Sequence, residues 1–239
     1  MKKKVLITGS SDGIGACIAE KFAKQNYEVF LTGRNEEKLM QVAKKCDTEN
    51  FFAVDLIQNN AVELLCENIK DIDILINNAG EYIYEDIENM KQEDIERIIK
   101  LNFEIPYLLI SKYVPYMKKK KFGRIINIGS ISGVVGESGA SLYSATKSSF
   151  IGMTKALALE LAQDFITINT INPGFVKTKL LENSFDESFS EKELLDVIPQ
   201  TRFLEPDEIA SLALYLASVE AKGLTGQMIN LCAGMSCGC

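Results

Sequence analysis

This chain of 239 residues predicts an α/β fold: a doubly wound, seven-stranded parallel sheet with helices on both faces. Three observations carry that prediction. Short β-rich apolar runs alternate with helical stripes along the chain, the pattern of strands joined by crossover helices. Seven strand-like runs can be counted. No long linker, repeat or low-complexity stretch interrupts the alternation, so a single domain spanning 1–239 is expected.

The elements follow in order. KVLIT (4–8) is a short apolar run that ends at a glycine turn. GACIAEKFAKQN (15–26) places Ile18, Ala19, Phe22 and Ala23 at helical spacing. YEVFLTG reads as strand, EEKLMQVAKKC as helix, NFFAVDL as strand, NAVELLCENIK as helix, and DIDILINNAG as strand then turn. The stretch from Gln92 to Lys120 is helical, with Pro106 marking a break or the start of a second helix. GRIINIGSIS is a strand. The helix from Tyr143 to Asp164 carries Phe150, Ile151, Leu157, Ala158 and Leu161 on roughly one side. ITINTINPG is strand then turn. PDEIASLALYLAS is a helix opened by Pro206 with acids in its first turn, and GQMINLC closes the sheet. The least patterned segment, Lys179 to Pro199, is long enough to be a substrate loop or lid (179–199).

Bulk composition narrows the partners. Hydrophobic residues make up 46% and charged residues 25%, an ordinary balance for a chain that buries a core. A net charge of −7 argues against nucleic acid and anionic membrane as partners. The basic run Lys118–Lys121 reads as a solvated helix end, where cations suit the dipole. No signal peptide is evident, and no apolar run approaches the ~18 residues of a membrane span. A cytoplasmic location is therefore expected. Six cysteines and no histidine leave no recognisable metal-ligand spacing, so no metal is expected and the cysteine-rich tail reads as reduced thiols.

The turn TGSSDGIG (8–15) lies between the first strand and the first helix. Gly9, Gly13 and Gly15 let the backbone approach a ligand closely. Ser11, Asp12 and Ile14 complete a turn whose helix N-terminus offers N–H groups to a pyrophosphate. This is the Rossmann-type arrangement for a dinucleotide. The second strand ends in Thr32, Gly33 and Arg34, with no acid for the ribose hydroxyls. A guanidinium there suits a 2′-phosphate, so NADPH is expected over NADH, although Asp12 adds an unhelpful negative charge. Asp55 and Leu56 follow the third strand, within reach of an adenine. Asn78, Ala79 and Gly80 follow the fourth, small enough for a cofactor to pass close by.

Tyr143 stands four residues before Lys147, so the two share a helix face. An ammonium beside a phenol favours the phenolate, and a tuned phenol can do the proton work often assigned to histidine. Ser130, at the end of the fifth strand, and Asn102, in the helical region before it, complete a polar set at one sheet edge.

With these motifs together, the chain resembles the short-chain dehydrogenase/reductase family. TGSSDGIG, NNAG, Asn102, Ser130, YSATK, NPGFVKT (172–178) and GQMIN (226–230) match in the family's order over nearly the whole chain. The resemblance implies an NAD(P)-dependent oxidoreductase with a catalytic tetrad of Asn102, Ser130, Tyr143 and Lys147. Tyr143 would exchange a proton with the carbonyl oxygen and Ser130 would hold it. Lys147 would bind the nicotinamide ribose and lower the tyrosine pKa. Asn102 would position a relay water. Pro173 and Gly174 would shape the turn below the nicotinamide, with Val176 and Thr178 beside its carboxamide.

Within the family the chain looks most like 3-oxoacyl-[acyl-carrier-protein] reductases of fatty acid biosynthesis. A 3-oxoacyl thioester, on acyl carrier protein or CoA, is the substrate this implies. Lys121 stands where those reductases have one docking arginine, whereas Asp164 stands where they have another. Reduction of a different carbonyl, such as a steroid, sugar or secondary metabolite, is the alternative, and a non-catalytic nucleotide-binding protein a distant one. The apolar residues of the lid, Leu180, Leu181, Phe185, Phe189, Leu194 and Leu195, suit an acyl chain and a steroid equally. A homotetramer through helices at about 103–119 and 144–162 is expected, with a dimer as the alternative.

Overall fold

A computed structural model describes residues 2–182 and 191–237 of the chain. Strands β1 (Lys4–Thr8), β2 (Glu28–Gly33), β3 (Phe51–Ala53), β4 (Ile74–Asn77), β5 (Gly123–Ile128), β6 (Ile166–Pro173) and β7 (Met228–Leu231) form one sheet. Their order is β3-β2-β1-β4-β5-β6-β7, and every neighbouring pair is parallel. The order reverses between β1 and β4, which opens a crevice at the carboxyl ends of those two strands.

Helices α1 (Gly13–Lys24), α2 (Glu36–Lys45), α3 (Ala61–Asn68), α4 (Gln92–Ile99), α5 (Ile105–Lys120), α6 (Ser132–Val135), α7 (Ser141–Leu161), α8 (Lys179–Glu182), α9 (Glu191–Asp196) and α10 (Pro206–Ala217) cover both faces. Alternation along the strands explains why both faces need cover. Val5 and Ile7 join Ile74, Ile76, Ile126 and Ile128 in the core under α1, α2 and α10. Leu6, Leu75 and Ile125 point the other way, into the core under α3, α5 and α7. Phe22 and Phe150, fully buried on opposite faces, each contribute about 1.5–3 kcal/mol by burial.

Several elements differ from expectation in ways with clear causes. NFFAVDL yields only three strand residues, because this edge strand pairs with β2 alone over Phe51–Ala53. The helical region from Gln92 divides as α4, a wider π-helical turn over Lys100–Glu104, and α5, with Pro106 in the first turn of α5. Proline has no N–H to give the carbonyl four residues back, which is that of Asn102. The buried stripe of α7 is Thr146, Lys147, Phe150, Met153, Thr154, Ala158 and Leu161, while Ile151 and Leu157 are only half-buried. The helix is turned so that polar side chains face the sheet. There Asn77 donates to Asn127 at 2.9 Å, and Thr154 and Thr170 are 2.8 Å apart.

The segment expected to be a substrate loop or lid, 179–199, carries α8 and α9. Leu181 is buried, and Leu194 and Leu195 are half-buried. Phe185, Phe189 and the side chain of Leu180 lie outside the described residues, as does Cys239. Cys17, Cys46, Cys66, Cys232 and Cys237 are free thiols. Among the described residues no helix is long and apolar enough to cross a membrane.

Candidate active site

The carboxyl ends of β1, β4, β5 and β6 bring the sequence-predicted residues to one edge. Ser130 follows β5, Tyr143 and Lys147 sit in the first two turns of α7, and Asn102 lies in the π-helical turn. Lys147 is buried, and its ammonium donates to the Ile128 carbonyl at 2.9 Å. It lies 5.7 Å from the centre of the Tyr143 ring, confirming a shared face.

Asn102 is fully buried and its amide is used by the protein. Its Oδ1 accepts from the Glu81 N–H at 2.9 Å. Its Nδ2 donates to the Glu81 carbonyl at 2.9 Å and to Thr146 Oγ1 at 3.2 Å. The side chain thus ties the turn after β4 to α7. A Cβ at Gly80 would stand 3.2 Å from both Asn102 Oδ1 and Lys147 Nζ, so a side chain there would crowd the lysine.

The expected lowering of the tyrosine pKa by the lysine is not the balance found. Burial pushes the Tyr143 phenol up to about 12; the Ser130 hydroxyl opposes this and the Glu137 charge adds to it. Burial pushes Lys147 down to about 8. The ammonium is anchored on a main-chain carbonyl rather than on the phenol oxygen, so desolvation outweighs its field. A phenol held this way keeps its proton through neutral pH.

The nucleotide cradle fits a dinucleotide. Gly9 and Gly13 have φ of +64° and +54°, a left-handed conformation that favours glycine. A Cβ at Gly15 would stand 2.3 Å from the Gly9 carbonyl oxygen, so the start of α1 can close on the turn only as glycine. Asp12 caps α1, accepting from the Gly13 N–H at 2.9 Å, and pairs with Lys38 at 2.7 Å. Its charge is therefore offset. Ile14 lies in the first turn of α1. Ser11 packs against Gly33, and Arg34 next to it is exposed and forms no ion pair among the described residues.

The remaining predicted positions have distinct surroundings. Asp55 is half-buried, accepting from the Ile57 N–H at 3.3 Å, and Leu56 is buried. Asn78 clamps the glycine turn, its Nδ2 donating to the carbonyls of Thr8 and Gly9 at 2.9 and 3.0 Å. Ala79 abuts Gly9. The Pro173 carbonyl accepts from the Ile131 N–H at 2.8 Å, and the Gly174 N–H donates to Leu231 at 2.9 Å. Val176 is buried, and Thr178 faces Gly13 across the cradle.

Three further residues border the site and were missed from sequence. The Ser130 hydroxyl donates to Ser132 Oγ at 3.1 Å, and Ser132 donates to Glu137 Oε2 at 2.6 Å. Tyr82 donates to Glu137 Oε1 at 2.7 Å, and its ring meets that of Tyr143 edge-on with centroids 5.0 Å apart. A signal existed: Glu137 is the only charged residue between Ser130 and Tyr143.

Comparison with known proteins matches residues 3–188 to a family described as short chain dehydrogenase. The chain is 36% identical to an uncharacterized oxidoreductase, YxjF, of Bacillus subtilis, over 98% of each chain. It is also 36% identical to the 3-oxoacyl-[acyl-carrier-protein] reductase FabG of Rickettsia bellii, covering 96% of this chain and 95% of that one. Among solved structures, YwfH, an NADPH-dependent reductase involved in bacilysin biosynthesis, superposes with a TM-score of 0.92 at 26% identity over 100% of both chains. ElxO with NADP bound superposes with a TM-score of 0.89 at 30% identity, covering 98% of this chain and 99% of that one.

Proposed function

The chain belongs to the short-chain dehydrogenases and is an NAD(P)-dependent oxidoreductase; from that premise we propose that it uses NADPH to reduce a ketone, a 3-oxoacyl thioester foremost. The observation that carries this reading is the convergence of Ser130, Tyr143 and Lys147 at the end of β5, with the phenol held protonated. The bound nicotinamide cofactor supplies the hydride. Tyr143 gives its proton to the substrate oxygen, a role suited to a phenol that stays protonated at neutral pH. Ser130 holds that oxygen. Lys147 holds the nicotinamide ribose and passes a proton toward Tyr143. Asn102 offers its main-chain carbonyl, left without an α-helical donor by Pro106, to a relay water beside Lys147.

Arg34 reads the 2′-phosphate; its exposure and the absence of an ion pair to it among the described residues support this, and the Lys38–Asp12 pair removes the objection raised by the aspartate. Ser11, Asp12, Gly13, Ile14 and Gly15 cradle the pyrophosphate. Asp55, Leu56, Asn78, Ala79 and Gly80 border the adenosine and ribose side, and Pro173, Gly174, Val176 and Thr178 the nicotinamide. The whole chain acts as one domain, with 179–199 as the substrate lid.

A second reading, reduction of another carbonyl, draws support from Lys121 and Asp164. These carrier-docking positions face each other as an ion pair at 2.5 Å, which cancels the positive charge an acidic carrier needs. As to assembly, α5 and α7 flank a shallow groove lined by Tyr107, Gly152 and Ala156, small enough residues on α7 for close packing against a second copy. We propose a homotetramer built on this face.

The test is cofactor consumption with acetoacetyl-CoA, NADPH against NADH at neutral pH. Rapid NADPH oxidation supports the thioester substrate. A protein that binds NADPH but leaves acetoacetyl-CoA untouched points to another ketone.

A further inference from the structure

Behind Ser130 and Tyr143 runs a directed chain of hydrogen bonds that ends on a carboxylate. Ser132 has one hydroxyl proton, and it is donated to Glu137 Oε2 at 2.6 Å, a short charge-assisted bond. Ser132 can then only accept from Ser130, which donates to it at 3.1 Å. The Ser132 N–H in turn donates to Ser130 Oγ at 3.1 Å. Ser130 thus keeps one proton to give: Ser132 Oγ takes it here, and the substrate oxygen takes it when a ketone is bound. The other oxygen of Glu137 accepts from Tyr82, whose ring lies edge-on to Tyr143. Main-chain contacts hold the two loops together, since the Glu85 N–H donates to the Gly139 carbonyl at 2.7 Å.

We propose that Glu137 is a positioning residue for the reaction: it fixes the Ser132 hydroxyl as an acceptor so that Ser130 is the donor, braces Tyr82 against Tyr143, and by its negative charge keeps the proton on Tyr143. This rests on the reading of Tyr143 as proton donor. The physical grounds are twofold. A carboxylate at the end of a hydroxyl chain orders every proton in it, and cooperative polarisation strengthens the order. A negative charge near a phenol also disfavours the phenolate. The groups facing Tyr143 are Lys147 from its own helix, Ser130 from the end of β5, Tyr82 from the loop after β4 and Glu137 from the loop after α6. Tyr84 lies near Tyr82 and against Gly139. Lys147 is the cation of this set, and Glu137 opposes it. Burial and the bond to Glu137 hold the Tyr82 hydroxyl protonated as well.

The test compares wild type, Glu137→Gln, Glu137→Asp and Ser132→Ala as full-length proteins. The readout is the pH profile of kcat/KM for ketone reduction and for alcohol oxidation, with NADPH affinity measured alongside. Glutamine keeps the shape and drops the charge. It is expected to move the alkaline limb of reduction about one unit toward acid, and to raise alcohol oxidation at pH 7 several-fold, with NADPH affinity unchanged. Aspartate keeps the charge and should keep the profile. Ser132→Ala cuts the chain but leaves the charge, so its shift should be in the same direction and smaller. Profiles of Glu137→Gln and Ser132→Ala that coincide with wild type would overturn the proposal. If Tyr143→Phe turned over like wild type, the reading of Tyr143 itself would have failed, a result separable from any behaviour of Glu137.

Discussion

Lys147 Nζ donates to the Ile128 carbonyl at 2.9 Å while lying 5.7 Å from the centre of the Tyr143 ring. The ammonium is thus pinned to the end of β5, in a site that desolvates it, and burial lowers its pKa to about 8. That placement serves the site at the expense of stability. An unfolded lysine titrates near 10.4, so between about pH 8 and 10.5 the unfolded chain binds more protons than the folded one. Stability contributed here therefore rises with pH across that window.

Lys147→Met is expected to stabilise the fold at pH 7 and to abolish turnover. At about 1.4 kcal/mol per unit, the gain is at most about 3 kcal/mol, less the lost hydrogen bond, and it fades toward pH 10. Thermal melts at pH 7 and pH 10 check both the sign and the window.

Arg34→Ala should weaken NADPH binding by roughly 10- to 100-fold, the worth of one charge-assisted bond to phosphate, and leave NADH binding unchanged. Fluorescence titration with each cofactor measures it. Equal losses for both cofactors would place Arg34 away from the 2′-phosphate.

The Lys121–Asp164 pair gives a test of substrate form. Lys121 and neighbouring Lys118 hold the Asp164 carboxyl below its usual pKa, so it is charged wherever the enzyme works. Asp164→Arg converts the pair into a basic patch. Activity with an acyl carrier protein substrate should rise about tenfold at low salt and lose that gain at high salt, with acyl-CoA activity unchanged.

Assembly is checked by light scattering. Wild type is expected at about four times the chain mass of 26.5 kDa, and Ala156→Arg, on the exposed face of α7, at a smaller mass. A wild-type monomer would refute both tetramer and dimer.

What the sequence made legible was local. The glycine turn, the Tyr143–Lys147 spacing and the β/α alternation each sit within a short window, and the structure places them as their periodicities imply. The bounds of β3 depended on its being an edge strand, which adjacent residues do not reveal. The partners that matter most at the site come from afar. Tyr82 reaches Glu137 across 55 residues, and Asp12 is neutralised by Lys38 across 26. The balance between burial and the lysine field at Tyr143 depended on where the ammonium points, which the i, i+4 spacing leaves open.

The central claim is that Tyr143 delivers the proton in ketone reduction. Its most direct test is NADPH oxidation by Tyr143→Phe beside wild type, with NADPH binding measured on the same samples. The account predicts unchanged binding and a fall in kcat of roughly a hundredfold or more. A variant that binds NADPH and turns over at the wild-type rate would contradict it.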